Sequence, residues 1–345
     1  MSLRVLIIGG TRFIGPYVVR RLRDSGCEVT LFHRGQTAPD LFGDLRHIIA
    51  DRNDLASHRA TFEDVHPDVI LDMIPLGERD ADAVMTTFRG VARRVVALSS
   101  GDVYRAYGRL ICFEPGPTEP MPLTEKSPLR EKHFPYRGQA ERLENYEKIL
   151  AERVFMREPG LAGTILRLPV VYGPGDYQHR LWQYLKRMLD GRGAILLESA
   201  HANWRISRAY VDNVAAAIVE AVVNDRSAGR IYNVAEPGAL TERAWVERIG
   251  SAVGWNGDIL TLPGRDYPDL VESDFNPAQD LVMDSARIRE ELNFTETIDI
   301  PTAMETTIAW ESVNQPAAEA GGAIDYAIED RILEQIQWQP ASSTS

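Results

Sequence analysis

The sequence is poor in features that mark secreted, membrane-spanning and metal-binding proteins. Only Cys27 and Cys112 occur among 345 residues, and the chain runs directly into an apolar segment at Leu3 to Ile8, without a basic stretch and cleavable apolar segment. No run approaches the roughly 20 apolar residues that a membrane helix needs. The seven histidines and two cysteines show no metal-ligand spacing. We therefore expect a soluble, cytoplasmic protein with no membrane partner and no metal.

The chain also lacks an excess of positive charge. It has 38 Lys and Arg against 50 Asp and Glu, a formal net charge of −12. Broad binding to nucleic-acid phosphates depends on clustered cations that release counterions, so we expect no nucleic-acid partner. A hydrolase has no support either, because no GxSxG turn occurs.

The first hundred residues alternate short apolar runs with segments of helical period. The predicted strands are rich in Val, Ile and Leu and read RVLIIG, EVTLFH, RHIIAD, DVILDM and RRVVALSS. Such runs are typical of strands buried on both faces of a parallel sheet. The pattern predicts an α/β fold: a Rossmann doubly wound parallel sheet, with a smaller C-terminal α/β substrate-binding region.

The pattern of alternation breaks after the fifth strand. Six prolines between Gly101 and Tyr136 argue against a regular helix or central strand there, and a loop this long usually covers an active site. We predict that a helix follows and runs to about Met156, and that the strand TILRLPVV comes after it.

The expected organisation has three parts. Residues 1–170 form the domain with the Rossmann sheet, in which 101–137 are the active-site loop. Residues 171–338 form the substrate-binding region, part of which returns to the first domain, and 339–345 form a disordered tail.

A glycine-rich turn, GGTRFIG, lies between the first strand and the first helix. Gly9 permits a tight turn, the helix N-terminus near Phe13 offers free N–H groups to a pyrophosphate, and Gly15 allows close contact between helix and strand. Glycines that serve only a βα turn are the alternative. In this context the turn predicts a dinucleotide site.

The turn, its strand–helix context and the later run SSGDVY resemble the extended short-chain dehydrogenase/reductase family, the NAD-dependent epimerases and dehydratases. The family turn usually reads GxxGxxG, so Arg12 in the middle position resembles the atypical branch. NAD-preferring members place an acid after the second strand, where this chain has His33 and Arg34.

The resemblance implies a preference for NADP over NAD. Arg12 and Arg34 could clamp a 2′-phosphate, unless Arg34 merely begins a solvated loop. Asp51, with Arg52, matches the position that faces the adenine, or caps the helix that follows. The complete set expected to bind the cofactor is Gly9, Thr11, Arg12, Phe13, Ile14, Gly15, His33, Arg34, Asp51, Arg52, Met73, Ser99, Lys148 and Pro169.

The resemblance also implies catalytic residues. In SSGDVY, Ser100 takes the position that hydrogen-bonds the reacting sugar oxygen, and Asp102 takes that of a catalytic acid in nucleotide-sugar dehydratases. A turn-forming role beside Gly101 is the alternative for Asp102.

The family's YxxxK pair is not present in this chain. The run before the helix selects Tyr136 as the catalytic tyrosine, whereas the spacing back from TILRLPVVYGPGD selects Lys148, with Glu152 behind it. The two anchors disagree by eight residues, so we infer an eight-residue insertion between Tyr136 and Lys148. A continuous helix across it would separate these two residues by about 18 Å.

Three outcomes of this insertion are open. Tyr136 folds back over Lys148, another group supplies the acid, or redox chemistry has been lost. On a regular helix Tyr146 would point away from Lys148, whereas Glu144 could contact it. Lys148 could also serve only to position the nicotinamide ribose or to form an ion pair.

The substrate side carries further family markers. RLPVVYGPGD and RAYVDNVAAAI resemble runs that line the nicotinamide side and grip a nucleotide pyrophosphate, the second through Arg208. Arg180, Arg205, Tyr177 and His179 are weaker candidates, with surface or packing roles as the alternative. The predicted substrate residues are Tyr104, Arg180, Arg205 and Arg208.

These observations predict an NAD(P)-dependent epimerase, dehydratase or reductase that acts on a nucleotide sugar or similar polyol. The family resemblance implies a homodimer. One alternative is a regulatory or non-redox protein that kept the cofactor pocket after losing the Tyr–Lys pair. Another is RNA binding, because the atypical branch includes chloroplast stem-loop RNA-binding proteins, although the acidic charge opposes it.

Overall fold

The fold is taken from a computed structural model that describes residues 2–37, 42–157, 160–271, 274–318 and 321–339. The tail predicted at 339–345 lies outside these residues except for Gln339. None of the helices within these ranges is long and apolar enough to cross a bilayer.

The chain alternates strands and helices over most of its length. The strands are β1 Arg4–Ile8, β2 Glu28–His33, β3 Arg46–Ile49, β4 Val69–Asp72, β5 Arg94–Ser100, β6 Ala162–Leu168, β7 Val170–Tyr172, β8 Ala194–Glu198, β9 Arg208–Tyr210, β10 Ile231–Asn233 and β11 Asp258–Leu262. The helices are α1 Ile14–Asp24, α2 Arg59–Val65, α3 Glu78–Phe88, α4 Arg105–Leu110, α5 Lys148–Arg157, α6 Trp182–Leu189, α7 Ser199–Asn203, α8 Val211–Val223, α9 Glu242–Val253, α10 Ala286–Leu292, α11 Ile300–Val313 and α12 Ala327–Gln335. Short 3₁₀ helices include Arg52–His58, Gly101–Val103 and Glu141–Leu143.

Seven strands form one parallel sheet in the order β10-β6-β5-β4-β1-β2-β3. The order reverses direction between β1 and β4, so a crevice opens between their carboxyl ends, where ligands of doubly wound sheets bind. This topology confirms the predicted Rossmann fold.

Alternate residues of each central strand pack on opposite faces of the sheet. In β1, Val5 and Ile7 lie in a core with α1 and α8, whereas Leu6 and Ile8 lie in a core with α2, α3 and α5. Both faces are therefore buried, as the continuous apolar runs indicate.

The later part of the chain adds two small parallel pairs, β7 with β9 and β8 with β11. Strand β10 then pairs with β6 at the edge of the large sheet, and α8 packs against α1. The chain thus returns to the first sheet after forming the two pairs.

Three predictions of local structure are wrong. The segment 101–136 contains a regular helix, α4, because its prolines begin only at Pro115. The helix expected to start soon after Tyr136 begins at Lys148. The predicted strand TILRLPVV is divided into β6 and β7 on either side of Pro169.

Candidate active site

The glycine-rich turn lies at the carboxyl end of β1. Gly9 and Gly10 have φ values of 93° and 80°, a region that favours glycine. A Cβ on Gly15 would overlap the backbone of Gly10, so the start of α1 can lie against the turn only with glycine there. The three glycines are therefore required by the close approach of turn and helix.

The N-terminus of α1 faces the same crevice. Phe13, at the N-cap, has φ 48° and no side-chain acceptor for the first amides, and the first turn from Ile14 to Tyr17 carries no acid. The Gly15 amide donates to the Arg12 carbonyl oxygen and Pro16 has no N–H, so the positive end of the helix dipole and the amides before Gly15 remain to meet an anion. These features fit the pyrophosphate of a dinucleotide.

His33, at the end of β2, belongs to a hydrogen-bonded chain of imidazoles. Its Nδ1 accepts from the Gly35 amide at 3.0 Å, and its Nε2 lies 2.8 Å from His47 Nδ1. His47 Nε2 in turn lies 2.8 Å from the Phe42 carbonyl oxygen. The contact with Gly35 requires an unprotonated Nδ1 on His33, and burial, followed by the electrostatic effect of His47, lowers the pKa of His33. The end of β2 therefore carries no acid and no permanent charge on the ring.

The two predicted phosphate-binding arginines occupy neighbouring segments. Arg12 lies in the turn after β1 and Arg34 in the loop after β2, and both are exposed. The hydroxyls of Thr11 and Thr37 are 2.6 Å apart and join these segments. Two exposed cations thus lie on neighbouring segments beside the glycine-rich turn.

Asp51 and Arg52 both have protein partners. Asp51 caps the 3₁₀ helix Arg52–His58 by accepting from the Asn53 amide at 2.9 Å. Arg52 donates to both oxygens of Asp72 at the end of β4, at 3.2 and 2.9 Å. These contacts support the alternative in which Asp51 caps the helix that follows.

Apolar side chains cover the same end of the sheet. Ile74 lies 3.5 Å from the position of a Cβ on Gly9, and Met73 Sδ lies 3.7 Å from that on Gly10. Ile49 and Ile74 are 66% and 46% exposed, which is high for branched apolar residues at strand ends. The exposed apolar surface beside the turn fits the flat face of a nucleoside base.

The carboxyl end of β5 presents two serines and a carboxylate. Ser99 donates to Glu152 of α5 at 2.5 Å, whereas the Ser100 hydroxyl accepts from the Asp102 amide at 3.2 Å. Asp102 is buried, and its Oδ1 has no hydrogen-bond partner within the part of the chain that the structure describes.

Two phenols converge on the other oxygen of Asp102. Tyr146 donates to Oδ2 at 2.7 Å and Tyr136 at 3.1 Å, and the Tyr136 hydroxyl also lies 2.8 Å from that of Tyr107. The rings of Tyr136 and Tyr146 meet edge to face, with centroids 5.1 Å apart. We call Asp102 and these three tyrosines the Asp102 cluster.

Lys148 lies beside this cluster. Its ammonium donates to the carbonyl oxygens of Pro75 and Leu98 at 2.6 and 3.2 Å and lies 5.5 Å from the centre of the Tyr146 ring. The inserted segment therefore folds back so that both tyrosines reach the site. Glu144 instead accepts from the Gly138 amide at 2.8 Å.

The expectation that Tyr146 points away from Lys148 is wrong. It assumed a regular helix, but α5 begins at Lys148, and Tyr146 lies in the irregular segment before it. The rule for helical spacing does not apply there.

Burial determines the protonation of these groups. It raises the pKa of Asp102, against the opposing effects of Tyr146, Arg130 and Lys148, and it lowers the pKa of Lys148. Burial, reinforced by the Asp102 carboxylate, raises the pKa of Tyr136 and of Tyr146 well above the usual range of a phenol. Burial also raises the pKa of Tyr107 to about 12. All three phenols are therefore protonated at neutral pH.

A buried ion pair fixes the segment between the tyrosines and the lysine. Arg130 and Glu147 are fully buried and paired at 3.1 Å, and Arg130 Nε donates to the Asp102 carbonyl oxygen at 2.6 Å. Glu147 also accepts from the amides of Phe134 and Ile149 at 2.6 and 3.1 Å. The loop after β5 and the start of α5 are thus joined around one carboxylate.

Tyr104 lies beneath the site. It is fully buried, and its hydroxyl donates to Asn233 at 2.5 Å and accepts from Arg167 at 3.1 Å. Arg167 pairs with both oxygens of Glu152. Tyr104 therefore packs the floor of the site and is not accessible to a substrate in this structure.

A cavity of about 820 Å³ opens beyond Pro169 and is lined from Val170 onward by β7, α6, α9 and the segment 321–325. Its walls are rich in aromatic and basic side chains, which include Tyr172, Trp182, Trp204, Trp245, Phe275, Arg180, Arg187 and Arg208. The size and lining suit a ligand with a planar ring and negative charge.

The predicted substrate arginines differ in their surroundings. Arg208 pairs with buried Glu242, lies 4.5 Å from the Trp245 ring centre, and has a buried Nη1 without a hydrogen-bond partner among the described residues. Arg180 also lines the cavity, where it pairs with Asp176 at 2.6 Å. Arg205 lies on another cleft and donates to the Ala239 carbonyl oxygen at 3.4 Å.

His179 and Tyr177 also differ in their surroundings. His179 lines the cavity, stacks on Trp310 and lies 2.7 Å from Glu311. Tyr177 is exposed and meets Phe13 of the glycine-rich turn edge to face, at 6.4 Å.

Sequence reasoning missed the roles of Tyr107, Arg130 and Glu147. Nothing in their local sequence marks them, because their partners are distant in the chain. For Tyr146 a signal was present, since the YEK spacing departs from YxxxK at the same place as the insertion.

Comparison with known proteins gives a family and a fold. The model of the NAD dependent epimerase/dehydratase family matches residues 5–235. UDP-glucose 4-epimerase of Thermotoga maritima, solved with UDP-glucose, superposes with a TM-score of 0.67 at 15% identity, covering 90% of this chain and 99% of that one.

Two curated proteins are related over much of the chain. 2′-Dehydrokanamycin reductase of Streptomyces kanamyceticus is 27% identical over 275 residues, which cover 76% of this chain and 70% of that protein. Chloroplast stem-loop binding protein of 41 kDa b of Arabidopsis thaliana is 24% identical over 247 residues, covering 67% of this chain and 58% of that protein.

Proposed function

The chain belongs to the NAD dependent epimerase/dehydratase family of enzymes, and we propose that it moves a hydride between NAD(P) and a carbon of a nucleotide sugar or similar polyol. Epimerisation, dehydration and reduction all begin or end with this step. A bound nicotinamide would supply or accept the hydride.

The observation that carries this proposal is the convergence at the carboxyl end of β5. Ser100 would hold the reacting oxygen, and a phenol of the Asp102 cluster would exchange the proton, for which the sequence resemblance nominates Tyr136. Lys148 would hold the nicotinamide ribose and place positive charge beside the phenols.

The features of the crevice support a dinucleotide and favour NADP. The glycine-rich turn and the open N-terminus of α1 would hold the pyrophosphate. Exposed Arg12 and Arg34, with neutral His33 in the position of the usual acid, favour a 2′-phosphate.

The cavity supports an anionic nucleotide sugar as substrate. Arg208 offers an unpartnered buried N–H group, among the described residues, beside the face of Trp245, so a phosphate and a base could bind together. The two free cysteines fit a reducing cytoplasm, and a homodimer stays a prediction.

Turnover of defined nucleotide sugars tests the proposal. The purified chain is incubated with NADP⁺ or NAD⁺ and UDP-glucose, UDP-galactose, UDP-glucuronic acid or dTDP-glucose, with products followed by NMR and the nicotinamide by absorbance. We expect conversion of at least one sugar, a preference for NADP⁺, and loss of conversion in Lys148→Met.

Two controls sharpen this experiment. Lys132→Met, on an exposed lysine that donates to the Phe113 carbonyl oxygen, should retain activity. Tight cofactor binding without conversion of any sugar would contradict the proposal and favour a regulatory or non-redox protein that kept the cofactor pocket.

A further inference from the structure

Three observations separate Tyr146 from Tyr136, and the first is the backbone that carries Tyr146. Tyr146 and Glu147 lie outside α5, whose first amides are capped by the Glu147 side chain. The Glu147 amide donates to the Leu76 carbonyl oxygen at 2.8 Å, and Gly77 leaves no room for a Cβ against the Asn145 carbonyl oxygen. The segment is held from both sides.

The second observation is the direction of the hydrogen bonds. A phenol has one proton to donate, and Tyr136 contacts both Asp102 Oδ2 and the Tyr107 hydroxyl. Tyr136 can satisfy both contacts by donating to Asp102 and accepting from Tyr107. Tyr146 makes the shorter bond to Asp102, 2.7 Å against 3.1 Å.

The third observation is the position of Tyr146 between the other candidate groups. Ser100 accepts from the amide of Asp102, whose carboxylate accepts from Tyr146, and Lys148 lies 5.5 Å from the Tyr146 ring centre. Ser100, the Tyr146 phenol and Lys148 are thus neighbours, as their proposed roles at one reacting oxygen require. For Tyr136 the aromatic contacts are instead Tyr107 and Tyr146.

We propose that Tyr146 exchanges the proton with the reacting oxygen of the substrate and that Asp102 stores this proton. The inference rests on the proposed hydride-transfer function. In the oxidative direction the substrate O–H bond breaks as a new bond forms to the Tyr146 oxygen, while the original phenolic proton passes to Asp102 Oδ2. The carbon loses its hydride to the nicotinamide, so charge and electrons balance. Reduction runs the same transfers backwards.

The relay explains why a phenol can act as a base here. Asp102 raises the pKa of Tyr146, so free tyrosinate is scarce at neutral pH. A concerted transfer avoids tyrosinate, because the phenol passes on one proton while it receives another. Tyr136 then donates a hydrogen bond that orients the carboxylate from the other side, and Tyr107 contacts the Tyr136 hydroxyl.

Single phenylalanine variants of the full chain test the relay with the sugar nucleotide that the wild type converts. Tyr146→Phe should lower kcat by about 10²–10⁴-fold, as expected for the loss of a general acid or base. It should leave the affinity for NADP⁺ and the melting temperature nearly unchanged. Tyr232→Phe is the matched control, since its phenol donates to a carboxylate, Glu291, at 2.9 Å on the outer strand β10.

The pH profile of kcat distinguishes a proton carrier from a structural tyrosine. In the oxidative direction the wild type should lose activity at acid pH as the Asp102 carboxylate is protonated, and Tyr136→Phe should keep this acid limb. The residual activity of Tyr146→Phe should lack it. The relay would be overturned if Tyr136→Phe lost activity while Tyr146→Phe kept it. It would also be overturned if the acid limb were lost in Tyr136→Phe and kept in Tyr146→Phe. A wild type that converts no sugar nucleotide would instead overturn the proposed function, and the relay with it.

Discussion

Asp102 accepts hydrogen bonds from two phenols although its carboxyl group is removed from water. Such a carboxyl is costly to ionise, because the carboxylate loses its hydration and gains only two neutral donors and an ammonium that is itself buried. The raised pKa of Asp102 therefore affects stability as well as catalysis.

Replacing Asp102 by asparagine should make the protein relatively more stable as the pH rises. Above the ordinary aspartate pKa of about 3.9 the unfolded chain loses its proton, whereas the folded state keeps it up to its own higher pKa. Wild-type stability thus falls across this window, by about 1.4 kcal/mol per pH unit at most. Urea unfolding of wild type and Asp102→Asn at a series of pH values measures the difference.

The exposed Asp64→Asn variant serves as the control and should show no such trend. A constant difference between wild type and Asp102→Asn across pH 4 to 8 would mean that the carboxyl ionises normally in the folded protein.

Individual residues were predictable where the backbone needs a particular amino acid. The conformation at Gly9 and the packing at Gly15 have a sequence signature because only glycine fits them. For Tyr146 the signal is limited to the altered spacing to Lys148, since its place beside Asp102 depends on a non-helical segment and on the remote pair Arg130 and Glu147. The roles of the catalytic and substrate residues stay predictions.

At the scale of elements, the short segment before α5 is the least regular part of the site. It passes between the loop after β5 and the turn at Gly77, where the backbone of Asn145 comes closest. Its position determines how far the Tyr146 hydroxyl reaches.

Gly77→Ala should displace this segment. The added methyl group overlaps the Asn145 carbonyl oxygen, and overpacking of this kind costs about 1–3 kcal/mol. We expect a lower melting temperature together with reduced turnover. Gly43→Ala is the control, because a Cβ there meets none of the described atoms within 4 Å. Unchanged stability and turnover in Gly77→Ala would show that the segment can shift freely.

Elements of strong periodicity were predictable and irregular ones were not. The five N-terminal strands and α1 follow directly from their apolar patterns. The start of α5 does not, because residues 137–147 contain good helix formers and end in a buried ion pair that holds them out of a helix. Tertiary contacts there outweigh local propensity.

For the whole molecule, charge distinguishes the proposed enzyme from a nucleic-acid binder. The relative from Arabidopsis thaliana is named for stem-loop binding, and this chain carries a net charge of −12. Such a chain releases few counterions from a phosphate backbone.

We therefore expect no retention of a stem-loop RNA in a mobility-shift assay at low salt. NADP⁺ at about 100 times its Kd should in contrast stabilise the chain by about 2.7 kcal/mol. RNA retention that weakens steeply with added salt would contradict this expectation and favour the RNA-binding alternative.

The buried pair of Arg130 and Glu147 also limits how the site can open. A fully buried charge that is left without its partner costs about 3–5 kcal/mol, and a state at that cost is populated by fewer than about one molecule in a hundred. The proline-containing loop therefore stays in contact with the start of α5. The rate of product release should then not depend on an opening of this loop.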